Sequence, residues 1–136
     1  MEEYRESVAW IWVTLIGHPI NKIIKVLEEN YDSVYEAFEM ANKSEFSSSV
    51  IKYKKLAQNM ADKEFIKRAN HIYESAMKKG MKILCRNSPL YPASLLELSS
   101  APAVLYYYGK LPAEIYGEAY NSKQLISIVG SRNCGA

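Results

Sequence analysis

A glycine, a serine and an arginine follow an apolar segment near the end of this 136-residue chain. The segment "LISIV" (125–129) has the composition of a central strand, and Gly130, Ser131 and Arg132 come directly after it. A glycine at a strand end exposes backbone N–H groups, and the forked guanidinium of an arginine suits phosphate oxygens. The glycine spacing matches neither a dinucleotide-binding nor a Walker sequence. From these residues alone, a phosphate-binding loop and an ordinary strand end both stay open.

Other residues with catalytic or metal-binding chemistry lack suitable partners. Ser131 has neither the G-x-S-x-G elbow nor the paired base of a serine nucleophile. His18 and His71 have no carboxylate or cysteine at ligand spacing, so we interpret them as ordinary loop and helix residues. We therefore expect a protein that is not an enzyme, with no catalytic residues, no metal site and no cofactor.

The composition indicates a globular cytoplasmic protein. Hydrophobic residues make up 49% and charged residues 24% of the chain, which is outside the range of disordered sequences. The longest apolar run, residues 8–17, is about half of what a bilayer span requires, so no membrane association is expected. Cys85 and Cys134 lie far apart without metal-ligand spacing, which favours reduced thiols in the cytoplasm.

The net charge of +2 conceals an uneven distribution along the chain. Residues 1–42 carry three basic and eight acidic side chains, whereas residues 43–86 carry eleven basic and four acidic ones. Residues 87–136 carry three of each. A basic middle segment can bind a polyanion by neutralising its phosphates. The alternative is that the scattered lysines simply cover solvated helix faces.

The first 80 residues predict a bundle of short helices, because apolar residues recur there at helical spacing. In the first helix they give one buried stripe: Val8, Ile11, Trp12 and Leu15. The first helix is predicted to end at Gly17, and the second to begin with Pro19. A Ser33–Glu36 capping box predicts the start of the third, and the fourth is predicted over about 48–60. Asp62 is the predicted cap of the fifth helix and Gly80 its predicted end.

The composition changes after Gly80. Segments 81–85, 103–109 and 125–130 are predicted strands, and the proline-punctuated segment 87–98 is a predicted turn with a short helix. The fold class predicted from this order is α+β, with an all-α bundle followed by the first strands of an α/β domain.

The chain resembles the amino-terminal half of the DNA-processing A family (DprA, also called Smf). "YRESVAWIWVTLIG" is similar to the opening helix of that family. "GMKILCRNSPLYPASLLELSSAPAVLYYYGKL" is similar to the stretch in which a Tyr-Pro precedes a Pro, an apolar strand and a Gly. "ISIVGSRNCGA" resembles the start of the Rossmann-like domain. "GHPIN" (17–21) departs from the family by replacing the Gly-x-Gly turn of a helix-hairpin-helix.

The resemblance implies a sterile-alpha-motif-like (SAM-like) or helix-hairpin-helix-like domain over 1–79 and an incomplete Rossmann-like domain over 80–136. It implies single-stranded DNA as ligand and the RecA recombinase as partner, which the protein delivers onto DNA during natural transformation. Gly130, Ser131 and Arg132 carry over as part of the phosphate-holding pocket. The intact protein is expected to be a homodimer.

We expect the chain to be a piece of a longer protein, without the rest of that pocket or the main dimer surface. Two other classes stay open. Related Rossmann-like folds include nucleotide-handling enzymes of the phosphoribohydrolase type. The helical domain could also act alone as a protein-interaction module, because its acidic first segment and basic second segment suit a contact with a partner.

Overall fold

A computed structural model describes residues 2–43, 52–98 and 100–111. About 62% of these residues are helical and two short strands form an antiparallel sheet, so the predicted α+β class is confirmed. Within the described ranges, no helix combines the length and apolar character that crossing a membrane requires. The elements in chain order are α1 (Glu2–Ile16), α2 (Ile20–Asn30), α3 (Val34–Asn42), α4 (Lys54–Ala61), α5 (Lys63–Lys78), β1 (Lys82–Cys85), α6 (Ala93–Leu96) and β2 (Val104–Tyr107).

Helix α1 is the centre of the fold. It contacts helices α2 to α5 and both strands. The predicted stripe is buried at Val8, Ile11 and Trp12 and half-buried at Leu15, but burial extends beyond it to Ala9, Trp10, Val13 and Ile16. A helix that is apolar on more than one side has to be covered on more than one side. Trp12 is fully buried and packs edge-on against Phe38 of α3, with ring centroids 5.5 Å apart.

Side chains that cap α3 and α5 confirm two of the predicted helix starts. The hydroxyl of Ser33 accepts a hydrogen bond from the Glu36 N–H at 3.0 Å. The carboxylate of Glu36 accepts from the Asp32 N–H at 2.6 Å, one residue before the position that a capping box predicts. Asp62 accepts from the Glu64 N–H at 2.9 Å. Each cap satisfies a donor that the first helical turn leaves without an intrahelical partner.

The end of α5 fixes the direction in which the chain leaves the bundle. Gly80 has φ +76°, which glycine adopts without a steric penalty. The Gly80 N–H donates to the carbonyl of Met77 at 3.1 Å, and the Met81 N–H donates to that of Ala76 at 3.0 Å. This pair of bonds is a Schellman motif. The predicted stop at Gly80 is therefore confirmed, and β1 starts two residues later.

Two predicted helix starts differ from the structure, that of α2 by one residue and that of α4 by about six. Pro19, which follows a cis peptide bond, has ψ 150° and is the N-cap of α2, so the helix begins at Ile20. Tyr53 is extended, with φ −89° and ψ 109°, and α4 begins at Lys54 instead of near residue 48. Residues 44–51 lie outside the described part of the chain.

Strands β1 and β2 pack against the helical bundle. Their antiparallel register pairs Cys85 with Val104, and both residues belong to the same core as α1. The connection between the strands contains α6 and is held by Tyr91, whose hydroxyl donates to the carbonyl of Pro102 at 2.9 Å. The first two predicted strands are thus confirmed, whereas the third, residues 125–130, lies outside the described residues. The predicted domain boundary near residue 80 stays a prediction, and the core runs across that position.

Candidate functional site

The phosphate loop predicted from the sequence lies outside the described residues, since they end at 111. The two histidines are described. His71 is exposed on α5, and His18 is exposed in the turn between α1 and α2.

A cleft lies where the end of α1 meets the starts of α2 and α4, and we call it the α2–α4 cleft. Its volume is about 370 Å³. Its buried apolar lining consists of Ile16, Ile23, Val26 and Leu56. Its polar lining consists of His18, Lys22, Tyr53, Lys55 and Asn59. An apolar cavity with a few polar groups is the usual composition of a ligand site.

Gly17 and Asn59 line the α2–α4 cleft and contact neighbouring helices. A Cβ atom on Gly17 would lie 2.9 Å from Cδ1 of Ile23, so a larger residue there would require the end of the Ile23 side chain to shift. The side-chain amide of Asn59 donates to the carbonyl of Ile16 at 2.7 Å. That bond caps a carbonyl in the last turn of α1 and holds α4 against it. The positions of Lys22 and Tyr53 therefore depend on contacts between three helices.

Tyr53 and Lys22 contact each other across the α2–α4 cleft. The Lys22 ammonium lies over the Tyr53 ring, with Nζ 4.4 Å from the ring centroid. This distance is within the range of a cation–π interaction. Tyr53 nevertheless keeps 47% of its surface exposed. The ring is thus oriented by a neighbour and remains accessible to solvent.

The two helices that begin at the α2–α4 cleft have no side-chain cap. Pro19 and Tyr53 occupy the N-cap positions of α2 and α4, and neither makes a side-chain cap hydrogen bond. Helices α3 and α5, in contrast, are capped by Ser33 and Asp62. The first-turn N–H groups of a helix carry partial positive charge and bind anions when no side chain occupies them. The local electrostatics of this cleft therefore favour an anion.

The segment that runs from the start of α4 to the end of β1 is strongly basic. Residues 52–86 carry ten Lys or Arg and three Asp or Glu, a net charge of +7. Nine of the ten cations are exposed, and Arg86 is half-buried with its guanidinium donating to the carbonyl of Ala101. Among the described residues, the ion pairs are those of Glu39 with Arg5 and Lys43, outside this segment. Its positive charge is therefore not neutralised by neighbouring carboxylates.

The described lining of the α2–α4 cleft is cationic and aromatic. No Asp or Glu occurs among its described lining residues. Across the described ranges, no group of three or more His, Cys, Asp and Glu side chains is arranged to hold a metal ion. What the cleft offers is cationic side chains, uncapped helix starts and one accessible aromatic ring.

No family model, curated protein or solved structure matches this chain. The assignment of a function therefore depends on the chain's own residues and their geometry.

Sequence reasoning missed the cleft residues Lys22, Tyr53 and Lys55. A signal was present in "KYKK" (52–55), where an aromatic residue stands among lysines, a pattern that suits binding to a phosphate backbone and to bases. The predicted helix over 48–60 concealed it, because a helical Tyr53 would belong to a continuous helix surface. The extended conformation of Tyr53 places it at the mouth of the cleft instead.

Proposed function

We propose that this protein binds single-stranded DNA in the cytoplasm, using the α2–α4 cleft and the basic surface of residues 52–86. The observation that carries the proposal is the meeting of Lys22, Lys55 and the exposed Tyr53 ring around one cleft that has no carboxylate among its described lining residues. Following the resemblance to the DprA family, we further propose that it delivers the RecA recombinase onto DNA during natural transformation, and that the intact protein is a homodimer.

Single strands fit this arrangement better than duplexes do. Cations neutralise phosphates in both forms, so the +7 charge of residues 52–86 does not discriminate between them. An exposed aromatic ring stacks on a base only when that base is unpaired and accessible. Tyr53 is such a ring, and it stands between Lys52 and Lys54 in the chain. The proposed ligand therefore supplies both a phosphate backbone and open bases.

The experiment is a binding titration of fluorescently labelled oligo(dT) and of a duplex of equal length, read by anisotropy over a series of salt concentrations. We expect tighter binding of the single strand and weak binding near physiological salt, because few phosphates are contacted. The logarithm of the binding constant should fall by about 0.7 per contacted phosphate for each tenfold rise in salt. Equal affinity for both ligands, or no binding at low salt, would contradict the proposal.

Paired variants locate the binding surface. Lys55→Ala removes a cation of the α2–α4 cleft, and Lys25→Ala removes an exposed cation of α2 that does not line it. We expect Lys55→Ala to lower affinity and to reduce the salt slope by about 0.7, and Lys25→Ala to change neither. Arg132→Ala tests the loop that the family resemblance implicates. A charge-assisted phosphate bond of about 1.5–3 kcal/mol predicts roughly 10- to 150-fold weaker binding for that variant.

A further inference from the structure

We infer that the α2–α4 cleft binds one nucleotide unit at a time, with the base stacked on Tyr53 and its phosphate between Lys22 and Lys55. This inference rests on the proposed binding of single-stranded DNA and specifies what the cleft itself recognises. A unit within a strand and a free nucleotide present the same chemistry to the cleft, that of a nucleoside 5′-monophosphate.

The size of the α2–α4 cleft limits the ligand to one unit. A volume of about 370 Å³ lies near the lower end of the range of roughly 300–1,000 Å³ for small-molecule sites. Extended single strands therefore cannot enter it with several bases at once. Apolar side chains, including Ile23 and Leu56, form the buried part of the lining, which suits an aromatic base better than a hydrated sugar-phosphate.

Tyr53 is oriented for stacking before any ligand arrives. The Lys22 ammonium covers one side of the ring at 4.4 Å from the centroid, while 47% of the residue stays exposed. The exposed part of the ring, at the mouth of the α2–α4 cleft, is therefore available to a base that enters the cleft. Lys22 therefore has a second role besides its contact with the phosphate, since a ring held in one orientation loses less conformational entropy on binding. Stacking does not discriminate between bases, because every base presents a π-face.

The cations around the ring fit the phosphate of the same unit. Lys55 is two residues after Tyr53 on the first turn of α4, and Lys22 lies on the first turn of α2. Both side chains line the α2–α4 cleft, and no described lining residue carries negative charge. A phosphate there adds attraction to the base stacking, which explains why an aromatic ring and two ammonium groups occur together.

The test uses the whole chain and compares Tyr53→Leu with Tyr108→Leu, a substitution at an exposed tyrosine outside the α2–α4 cleft. Oligo(dT) affinity is measured over a salt series, and bound oligo(dT) is competed with thymidine 5′-monophosphate, with thymidine and with inorganic phosphate. Tyr53→Phe keeps the ring and serves as the conservative variant. Circular dichroism of each variant shows whether it is folded.

Stacking of one base contributes about 1–3 kcal/mol, so Tyr53→Leu should weaken oligo(dT) binding by roughly 5- to 150-fold. Its salt slope should stay unchanged, because no phosphate contact is lost, and Tyr53→Phe and Tyr108→Leu should bind like the natural chain. The monophosphate should compete better than thymidine or phosphate alone. If only strands bind and the monophosphate does not compete, the cleft recognises the unit within a strand.

Two results separate this inference from the proposed function. If Tyr53→Leu binds oligo(dT) as tightly as Tyr108→Leu does, the nucleotide site is refuted, while salt-dependent binding of single strands still stands. If the natural chain does not bind oligo(dT) at low salt but binds the monophosphate in a Tyr53-dependent way, the nucleotide site stands and the DNA-binding function falls.

Discussion

Lys63 joins the end of α3 to the start of α5, and its removal is a sharp test of the fold. Its ammonium group donates to the carbonyls of Ala41 and Asn42, at 2.6 Å each. These carbonyls belong to the last turn of α3, where a helix carries partial negative charge. Lys63→Met removes the charge and both hydrogen bonds, and it keeps a long side chain with good helix propensity.

The expected loss is about 1–2 kcal/mol in the free energy of unfolding. A hydrogen bond to a charged group contributes about 1.5–3 kcal/mol when it is shielded, and a cation at an exposed helix end contributes about 0.3–1 kcal/mol. Lys63 is exposed and one of its two bonds is partly buried, so the effect should fall between these limits. At typical urea sensitivities this shifts the unfolding midpoint by roughly 0.5–1 M.

Urea unfolding followed by tryptophan fluorescence measures this loss, because Trp10 and Trp12 both lie in the core. Lys67→Met is the matched control, since Lys67 is exposed one turn further along α5 and has no hydrogen bond or ion pair within the described ranges. It should change stability by less than about 0.5 kcal/mol. At about 1 M salt, where charges are screened beyond roughly 3 Å, the attraction of Lys63 to the rest of the α3 dipole is lost but the two 2.6 Å bonds are kept, so the Lys63→Met effect should shrink only in part. Equal midpoints for the two variants would refute the capping role.

Three further predictions concern Gly80 and Tyr91, which lie after α5. Tyr91→Phe removes the bond to the Pro102 carbonyl from a residue that is 4% exposed, so unfolding in urea should show a loss of about 1 kcal/mol. Gly80→Ala should lower the free energy of unfolding by about 1 kcal/mol in the same assay, because alanine adopts φ +76° only with strain, although nothing crowds the position. Gly80→Asn should lower it less, since asparagine tolerates this conformation better. Equal stability of the natural chain and both variants would contradict this. Burial raises the pKa of Tyr91 above its usual value near 10, because it disfavours the phenolate. The neutral phenol is then favoured in the folded state, so this stability is present below about pH 10 and is lost as pH rises through the folded pKa. Unfolding free energies of the natural chain and of Tyr91→Phe at increasing alkaline pH should show a smaller loss in the variant.

Local signals in the sequence were sufficient to predict the caps and ends of several helices. Ser33, Asp62 and Gly80 act through hydrogen bonds or dihedral angles within a few residues, so their roles could be predicted without knowledge of the fold. The first two strands are local in the same sense, because β-branched and aromatic residues favour extended backbone. The residues of the loop at Gly130 to Arg132 left a phosphate site and an ordinary strand end both open, and the phosphate-binding role that the family resemblance implies stays a prediction.

Features that depend on tertiary contacts could not be predicted in this way. Whether α1 is covered on one side or on all sides depends on how many elements pack around it, and periodicity alone does not give that number. The contact between Lys22 and Tyr53 joins residues that are distant in sequence, on the first turn of α2 and at the N-cap of α4. A serine near residue 48 resembled a helix start, but the extended Tyr53 delays α4 to Lys54.

The core that runs across Gly80 has a consequence for any gene fusion or cloned fragment that carries this segment. Cys85 and Val104 belong to the same buried cluster as α1, and the Schellman motif at Gly80 fixes how the chain reaches them. A gene cut after codon 79 would therefore encode a bundle with part of its central helix uncovered to water. Transfer of the helices to another protein, by a cloning step or by recombination during evolution, would have to include the two strands as well.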